Sequence, residues 1–372
     1  MPRKGGASMK KRLLAGALCA LFLLSGCSPM LERSYSSHTT HTDTSEAGDA
    51  NELRAEDYDE LLACVMRLVR AHEPYGTIRL YNYAGTVEDD LNAVCDQVRF
   101  RDPLGAYAVR AISCESTRVL SYYEVDARIV YAHTADAVAA IVPAAGLESL
   151  RAQLNTVVEY QRTQTTLYLT DYEGSAQQID ALFRLALYSA PAAAAMAPAP
   201  TVTLYPAAGT ERVLELQANW SKPTPSRLEY AAQLSQLCAE LLGTAEPTGQ
   251  FSVPALARQL SQVLVYDPGG SRDAVDALQG LPVNDLGVLL AMEALCAQAG
   301  IEVQAAMDSA GSQLWLIVST PSGCRHLLPK DLRPDAEQGP NWQLPLYTDE
   351  ELAALGFTWQ EELFPPCVDY AG

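Results

Sequence analysis

Asn284-Asp285-Leu286-Gly287-Val288-Leu289-Leu290-Ala291-Met292-Glu293-Ala294-Leu295-Cys296-Ala297-Gln298-Ala299-Gly300-Ile301-Glu302 decides how the C-terminal part of this chain is read. An Asn or Asp supplies the N-cap, a nearly uncharged helical run follows, and Gly300 takes the C′ position. Apolar residues occur all round the helix instead of on one stripe, so it predicts a central helix buried on every side. Downstream come a strand over 303–307, a turn at 308–311, a strand over 313–319, a turn at 321–323 and a strand over 324–328. Upstream, Thr224 or Ser226 caps a helix running to 242, with Leu228, Ala231, Leu234, Leu237, Cys238 and Leu241 inward. A second helix over 253–265 ends at Tyr266-Asp267-Pro268-Gly269-Gly270. Ser221-Lys222-Pro223-Thr224-Pro225-Ser226 breaks the pattern and marks a boundary between regions 52–222 and 223–372.

The region before that boundary reads as α/β with an internal repeat. Leu61, Leu62, Val65, Met66, Leu68 and Val69 recur at helical spacing, and a strand over 77–83, a helix over 87–98 and two strands around 108–114 and 119–131 follow. The order returns with a helix over 147–160, a strand over 165–172, a helix over 176–187 and strands near 202–205 and 212–220. Tyr83-Ala84-Gly85 and Tyr172-Glu173-Gly174 stand 89 residues apart at matching strand-to-helix junctions. Two α-β-α-β-β units pairing into a mixed sheet are expected. The Tyr-rich strands offer a carbohydrate or peptide platform, although Tyr is also a good strand residue. The fold class is thus α+β.

The run Gly287…Ala291…Leu295-Cys296-Ala297-Gln298-Ala299-Gly300-Ile301-Glu302, with its hairpin and with Tyr347-Thr348-Asp349…Phe357-Thr358-Trp359…Pro366-Cys367, resembles the bacterial transglutaminase-like family of the papain-like fold. That resemblance covers about 225–370. It implies a Cys at the start of the central helix, where the helix end lowers its pKa, a His on the next hairpin and an Asp on the following strand. Here Asp285, Gln313 and Leu328 (or Pro329, one register on) occupy those positions, so the resemblance implies a catalytically degenerate site. Asp285 then has a structural role at the helix N-terminus. Its implied cleft holds Trp315, with Cys324 and His326 two apart on one strand. A relocated Cys324–His326 pair is the enzyme alternative, with no acid evident beside His326.

The first residues read as an address. Met9-Lys10-Lys11-Arg12 is basic, the twelve residues over 13–24 are apolar but too short to span a bilayer, and Leu24-Ser25-Gly26-Cys27 resembles the bacterial lipobox. Residues 1–26 are expected to be a signal peptide, Cys27 the lipid attachment residue, and 27–51 a disordered tether whose His38 and His41 are solvated. A lipid-anchored protein on the outer face of a bacterial membrane follows, held by acyl chains.

Composition narrows the function further. Of 372 residues, 26 are Lys or Arg and 45 are Asp or Glu, a formal charge of −19 that disfavours nucleic acid. All five charges before residue 27 are basic, so cleavage leaves 21 against 45, or −24. Only five His are present, and no Cys-x-x-Cys spacing occurs, so neither a metal nor another cofactor is indicated. Cys64, Cys95, Cys238 and Cys296 fall on apolar helical faces, and a Cys324–Cys367 bridge is open. The expected role is binding or scaffolding of peptide or cell-wall material; a thiol hydrolase or transpeptidase and a solute-binding lipoprotein are the alternatives.

Overall fold

The computed structural model describes residues 52–372 except 244–250, 310, 334–342 and 370–372. The expected signal peptide and tether, with Cys27, His38 and His41, lie outside the described residues. Two α/β repeats open the described part. In the first, β1 (Leu53–Ala55), α1 (Tyr58–Ala71), β2 (Tyr75–Tyr81), α2 (Val87–Phe100), α3 (Pro103–Ala108), β3 (Val109–Val119) and β4 (Tyr122–Tyr131) succeed one another. After a connecting helix α4 (Ala135–Ala139) the second runs β5 (Val142–Ala145), α5 (Gly146–Glu159), β6 (Gln164–Thr170), α6 (Ala176–Tyr188), α7 (Pro191–Ala194), β7 (Ala199–Tyr205) and β8 (Arg212–Asn219).

Each repeat builds its own four-stranded sheet, ordered β1-β2-β4-β3 and β5-β6-β8-β7. This corrects the expected single mixed sheet. The leading strands β1 and β5 were too short to show a period. The short helices α3 and α7 open on Pro103 and Pro191 and are too short to carry a helical period; Asp102 caps α3 by accepting from Gly105 N–H. The duplication extends to register. Leu53↔Ile78 and Ile78↔Val125 recur 89 residues later as Val142↔Leu167 and Leu167↔Leu214. Left-handed backbone recurs at the same offset of 89, at His72 and Gln161, Asn82 and Asp171, and Leu120 and Gly209. Turns as well as strands have therefore been copied.

Apolar faces hold the repeats together. Leu61, Val65 and Val69 of α1 and Leu91, Val94 and Val98 of α2 bury against Ile78, Leu80, Val125 and Ala127. The second repeat repeats this with Leu150, Leu154, Ile179 and Phe183 on Leu167, Leu169, Leu214 and Leu216. Each such side chain contributes roughly 1.5–3 kcal/mol on leaving water.

The C-terminal region comprises α8 (Thr224–Gly243), α9 (Val253–Val263), β9 (Val265–Ser271), α10 (Ala274–Leu278), β10 (Pro282–Val283), α11 (Asp285–Gln298), β11 (Val303–Met307), β12 (Leu314–Thr320), β13 (Gly323–Leu327), a 3₁₀ turn (Pro329–Leu332), α12 (Asp349–Ala354) and a second 3₁₀ turn (Glu361–Leu363). The stretch expected to be a turn at Tyr266 is strand β9, parallel to β10. Leu228 is 59% exposed, not inward. As expected, α11 is central: every residue from Gly287 to Cys296 is buried. Gly287 allows this, because an added Cβ would lie 2.9 Å from Val283 Cβ and 3.0 Å from Ser271 O. Residues 52–372 form one compact unit, in which Met307 and Leu363 join the core of the second repeat. No helix among the described residues is long and apolar enough to cross a membrane.

Candidate functional site

Strand alternation sorts the antiparallel sheet β11-β12-β13 into two faces. Leu316, Val318 and Leu327 bury in one cluster with α11, whereas Trp315 and Ile317 bury in another with Leu328, Leu352 and Cys367. The three positions singled out as a replaced triad therefore separate. Asp285 sits at the first turn of α11, but Asn284 is the cap, accepting from Leu286 and Gly287 N–H at 3.1 and 3.4 Å. The Asp285 carboxylate instead accepts from Arg333 at 2.6 Å, and that guanidinium lies 4.1 Å from the Tyr266 ring centroid.

Gln313 is exposed and precedes β12; its N–H donates to Asp308 Oδ1 at 2.8 Å. Leu314, the next residue, is the one that packs toward the α11 cluster. Leu328 lies on the other face, and Pro329 opens the 3₁₀ turn. No hydrogen bond or ion pair joins these positions among the described residues.

A different constellation assembles on the far face. The Trp315 indole N–H donates to His326 Nδ1 at 3.0 Å, and His326 Nε2 lies 2.8 Å from Asp349 Oδ1. Asp349 Oδ2 accepts from Cys367 N–H at 2.9 Å, while Asp349 N–H donates to Cys367 O at 2.8 Å. His326 also forms an antiparallel bridge with Tyr347, its N–H to Tyr347 O at 2.8 Å and the reverse at 2.9 Å. Trp315 stands edge-on to Phe357, and His326 lies 5.3 Å from the Trp359 ring. The acid thought missing beside His326 is thus Asp349, 23 residues on, supplied by the N-terminus of α12 through a Thr348–Glu351 capping box.

The side chains of His326, Asp349 and Cys367 place their ligand atoms within 4.8 Å of one another, the composition of a thiol triad or a metal site. The geometry opposes both. Trp315 can donate only if Nδ1 carries a lone pair, so the ring proton sits on Nε2 and points at Asp349. Neither nitrogen is left to receive a thiol proton. Burial, outweighing the hydrogen bond to Asp349, lowers the His326 pKa. Burial, with Asp349 and Cys324 nearby, pushes the Cys367 thiol up to about 12, so a thiolate is disfavoured. A metal on Nε2 would require an imidazolate while the Trp315 donor stays, opposite to the acceptor that normally backs a ligating His.

The expected cleft of Trp315, Cys324 and His326 is a filled core, because Trp315 and His326 are both 0% exposed. Only Cys324 is partly accessible. An open cleft of about 460 Å³ lies elsewhere, between α6 and the β11–β12 turn, where Gln177, Asp180, Arg184, Ser309 and Gln360 face it.

The two sheets differ on the side away from their helices. In the second sheet, Thr166 and Glu215 are each only 8% exposed; Tyr107 of α3 neighbours both and stands edge-on to Tyr205, while Gln164 Nε2 donates to Glu215 at 3.0 Å. Their counterparts 89 residues earlier, Thr77 and Asp126, are exposed and bond each other at 3.1 Å. Beside them Tyr81 and Tyr122 pair with ring centroids 5.1 Å apart. Arg54 lies 5.4 Å from the first ring and Arg79 lies 5.8 Å from the second.

No protein-family model matches the chain, and no curated protein matches it. Among solved structures, one described as "Crystal structure of a TGase" is similar at 8% identity over 64% of this chain and 67% of that one, with a TM-score of 0.22. This likeness is weak and concerns structure only.

Proposed function

We propose that this chain is a non-catalytic binding module, lipid-anchored through Cys27 on the outer face of a bacterial membrane, that holds peptide or cell-wall glycan. The anchoring rests on the basic and apolar run ending in Leu24-Ser25-Gly26-Cys27. The C-terminal region keeps the buried helix and hairpin of a transglutaminase-like domain without its acid–base machinery.

One observation carries the binding reading: the outer face of the first sheet is open, while the equivalent face of the second is covered. Paired tyrosines flanked by Arg, Thr and carboxylate side chains suit a ligand with apolar faces and many hydroxyl or amide groups. Calorimetric titration with soluble peptidoglycan fragments and cell-wall peptides tests it. A Tyr81→Ala/Tyr122→Ala variant should bind at least about tenfold more weakly, roughly 1.4 kcal/mol. Equal affinity in the variant, or no binding across the panel, removes the reading. The thiol-hydrolase alternative is disfavoured, because His326 has no nitrogen free for Cys324.

A further inference from the structure

We infer that Cys95 and Cys114 close an intramolecular disulfide that ties α2 to the edge strand β3 when the chain meets a disulfide oxidant. Helix α2 packs against β3. Cys95 lies one turn beyond the buried Leu91 and beside the buried Val94, and Cys114 stands in register with the buried Ala127 and packs on the same core. The two half-buried thiols lie close enough to perturb each other's ionisation. The internal repeat supports the juxtaposition independently. Arg184 stands 89 residues after Cys95, and Val202 pairs with Leu216, which stands 89 after Ala127; Arg184 and Val202 line one cleft. The helix and strand that carry these positions therefore pack together in both copies, and cysteines occupy the positions in the first.

Among the other thiols, Cys64 donates to Arg54 O at 3.2 Å, Cys238 and Cys296 are buried, and Cys324 and Cys367 share a separate cluster. The two thiols titrate as a pair, with Cys95 beside it and burial both raising the Cys114 pKa. In the proposed exchange Cys95, on the helix, is the attacking thiolate. It displaces one thiolate from a low-molecular-weight disulfide such as oxidised glutathione, forming a mixed disulfide. Cys114 then gives up its proton to solvent and attacks Cys95 Sγ, releasing the second glutathione thiolate. Two protein thiols are oxidised by two electrons, and one glutathione disulfide is reduced to two thiols. The product pins β3, a long strand with one unpaired edge, to the helix beneath it.

The test uses the full chain, first reduced and then equilibrated across reduced-to-oxidised glutathione ratios. Acid quench, denaturing alkylation with N-ethylmaleimide and peptide mass spectrometry follow. The expected result is joint loss of Cys95 and Cys114 labelling, with a linked peptide joining them, while Cys238 and Cys296 stay labelled. In Cys95→Ser, Cys114 should remain alkylatable. Should both thiols stay labelled under excess oxidised glutathione, or should Cys95 link to any other cysteine, the inference is overturned. The wild-type peptide map decides the matter even where the variant folds poorly. It is also independent of ligand binding or membrane anchoring.

Discussion

The indole of Trp315 donates its N–H to Nδ1 of His326, and both side chains are fully buried. This bond fixes the imidazole tautomer and aims the remaining N–H at Asp349. The chain of contacts fastens 347–349 and Cys367 onto β13. It is a tail lock made from residue types that elsewhere perform catalysis.

Replacing His326 by Ala should therefore act on stability. The Trp315 N–H and one Asp349 oxygen lose their partner, at a cost of about 2–4 kcal/mol. Urea unfolding of His326→Ala, Trp315→Phe and the double variant should show a coupling of roughly 0.5–3 kcal/mol. Strictly additive effects would show that the bond contributes nothing.

Two buried groups set opposite pH slopes. The folded His326 pKa is lowered below 6.5 by burial, so the unfolded chain takes up the proton first as pH falls. Its contribution is whole above about pH 6.5 and is lost as pH falls toward the folded value. Glu293, 4% exposed in α11 with Oε2 unpartnered among the described residues, has its pKa raised well above 4.5 by burial. The unfolded chain ionises first there, so stability falls as pH rises above about 4.5 toward the folded value. Melting temperature against pH should gain a flatter neutral side in Glu293→Gln and a flatter acid side in His326→Gln.

Neutralising Glu293 should also stabilise outright near pH 7, by an amount on the order of 1–3 kcal/mol. Denaturant midpoints of Glu293→Gln and Glu293→Leu report it. A loss in both would mean that Glu293 has a partner worth more than its desolvation.

The two residues opening α11 should behave unequally. Asn284→Ala removes the cap and should cost about 1 kcal/mol. Asp285→Ala breaks a partly exposed pair with Arg333, whose side chains are 46% and 25% exposed, and should cost under about 1 kcal/mol. Chemical denaturation ranks them; the reverse order would return the capping role to Asp285.

Much of the fold was legible because it depends on local pattern. The all-apolar run after Asn284 read as a buried helix, and Gly300 ends it with φ at 73°. The offset between Tyr83 and Tyr172 pointed to a duplication, and the registers of β1-β2-β4 and β5-β6-β8 repeat at that same offset. Strand β9 escaped because Asp267-Pro268-Gly269-Gly270 reads as a turn, and its pairing to β10 is irregular. Gln313 was placed one position from the residue that faces α11, since one step along a strand changes the face. Asp349 and Cys367 could not be found beside His326 because no period links residues 23 and 41 positions apart. The capping box at Thr348 announced a helix, not what its first carboxylate would hold.

The central claim is that the histidine of the C-terminal region is spent on structure. Long-range ¹⁵N–¹H NMR of the His326 imidazole tests this most directly. The account predicts a neutral ring near pH 7, with its proton on Nε2 and a pKa below 6.5. A proton on Nδ1, or a ring titrating at or above 6.5 with Nε2 free, would contradict it and restore a working base.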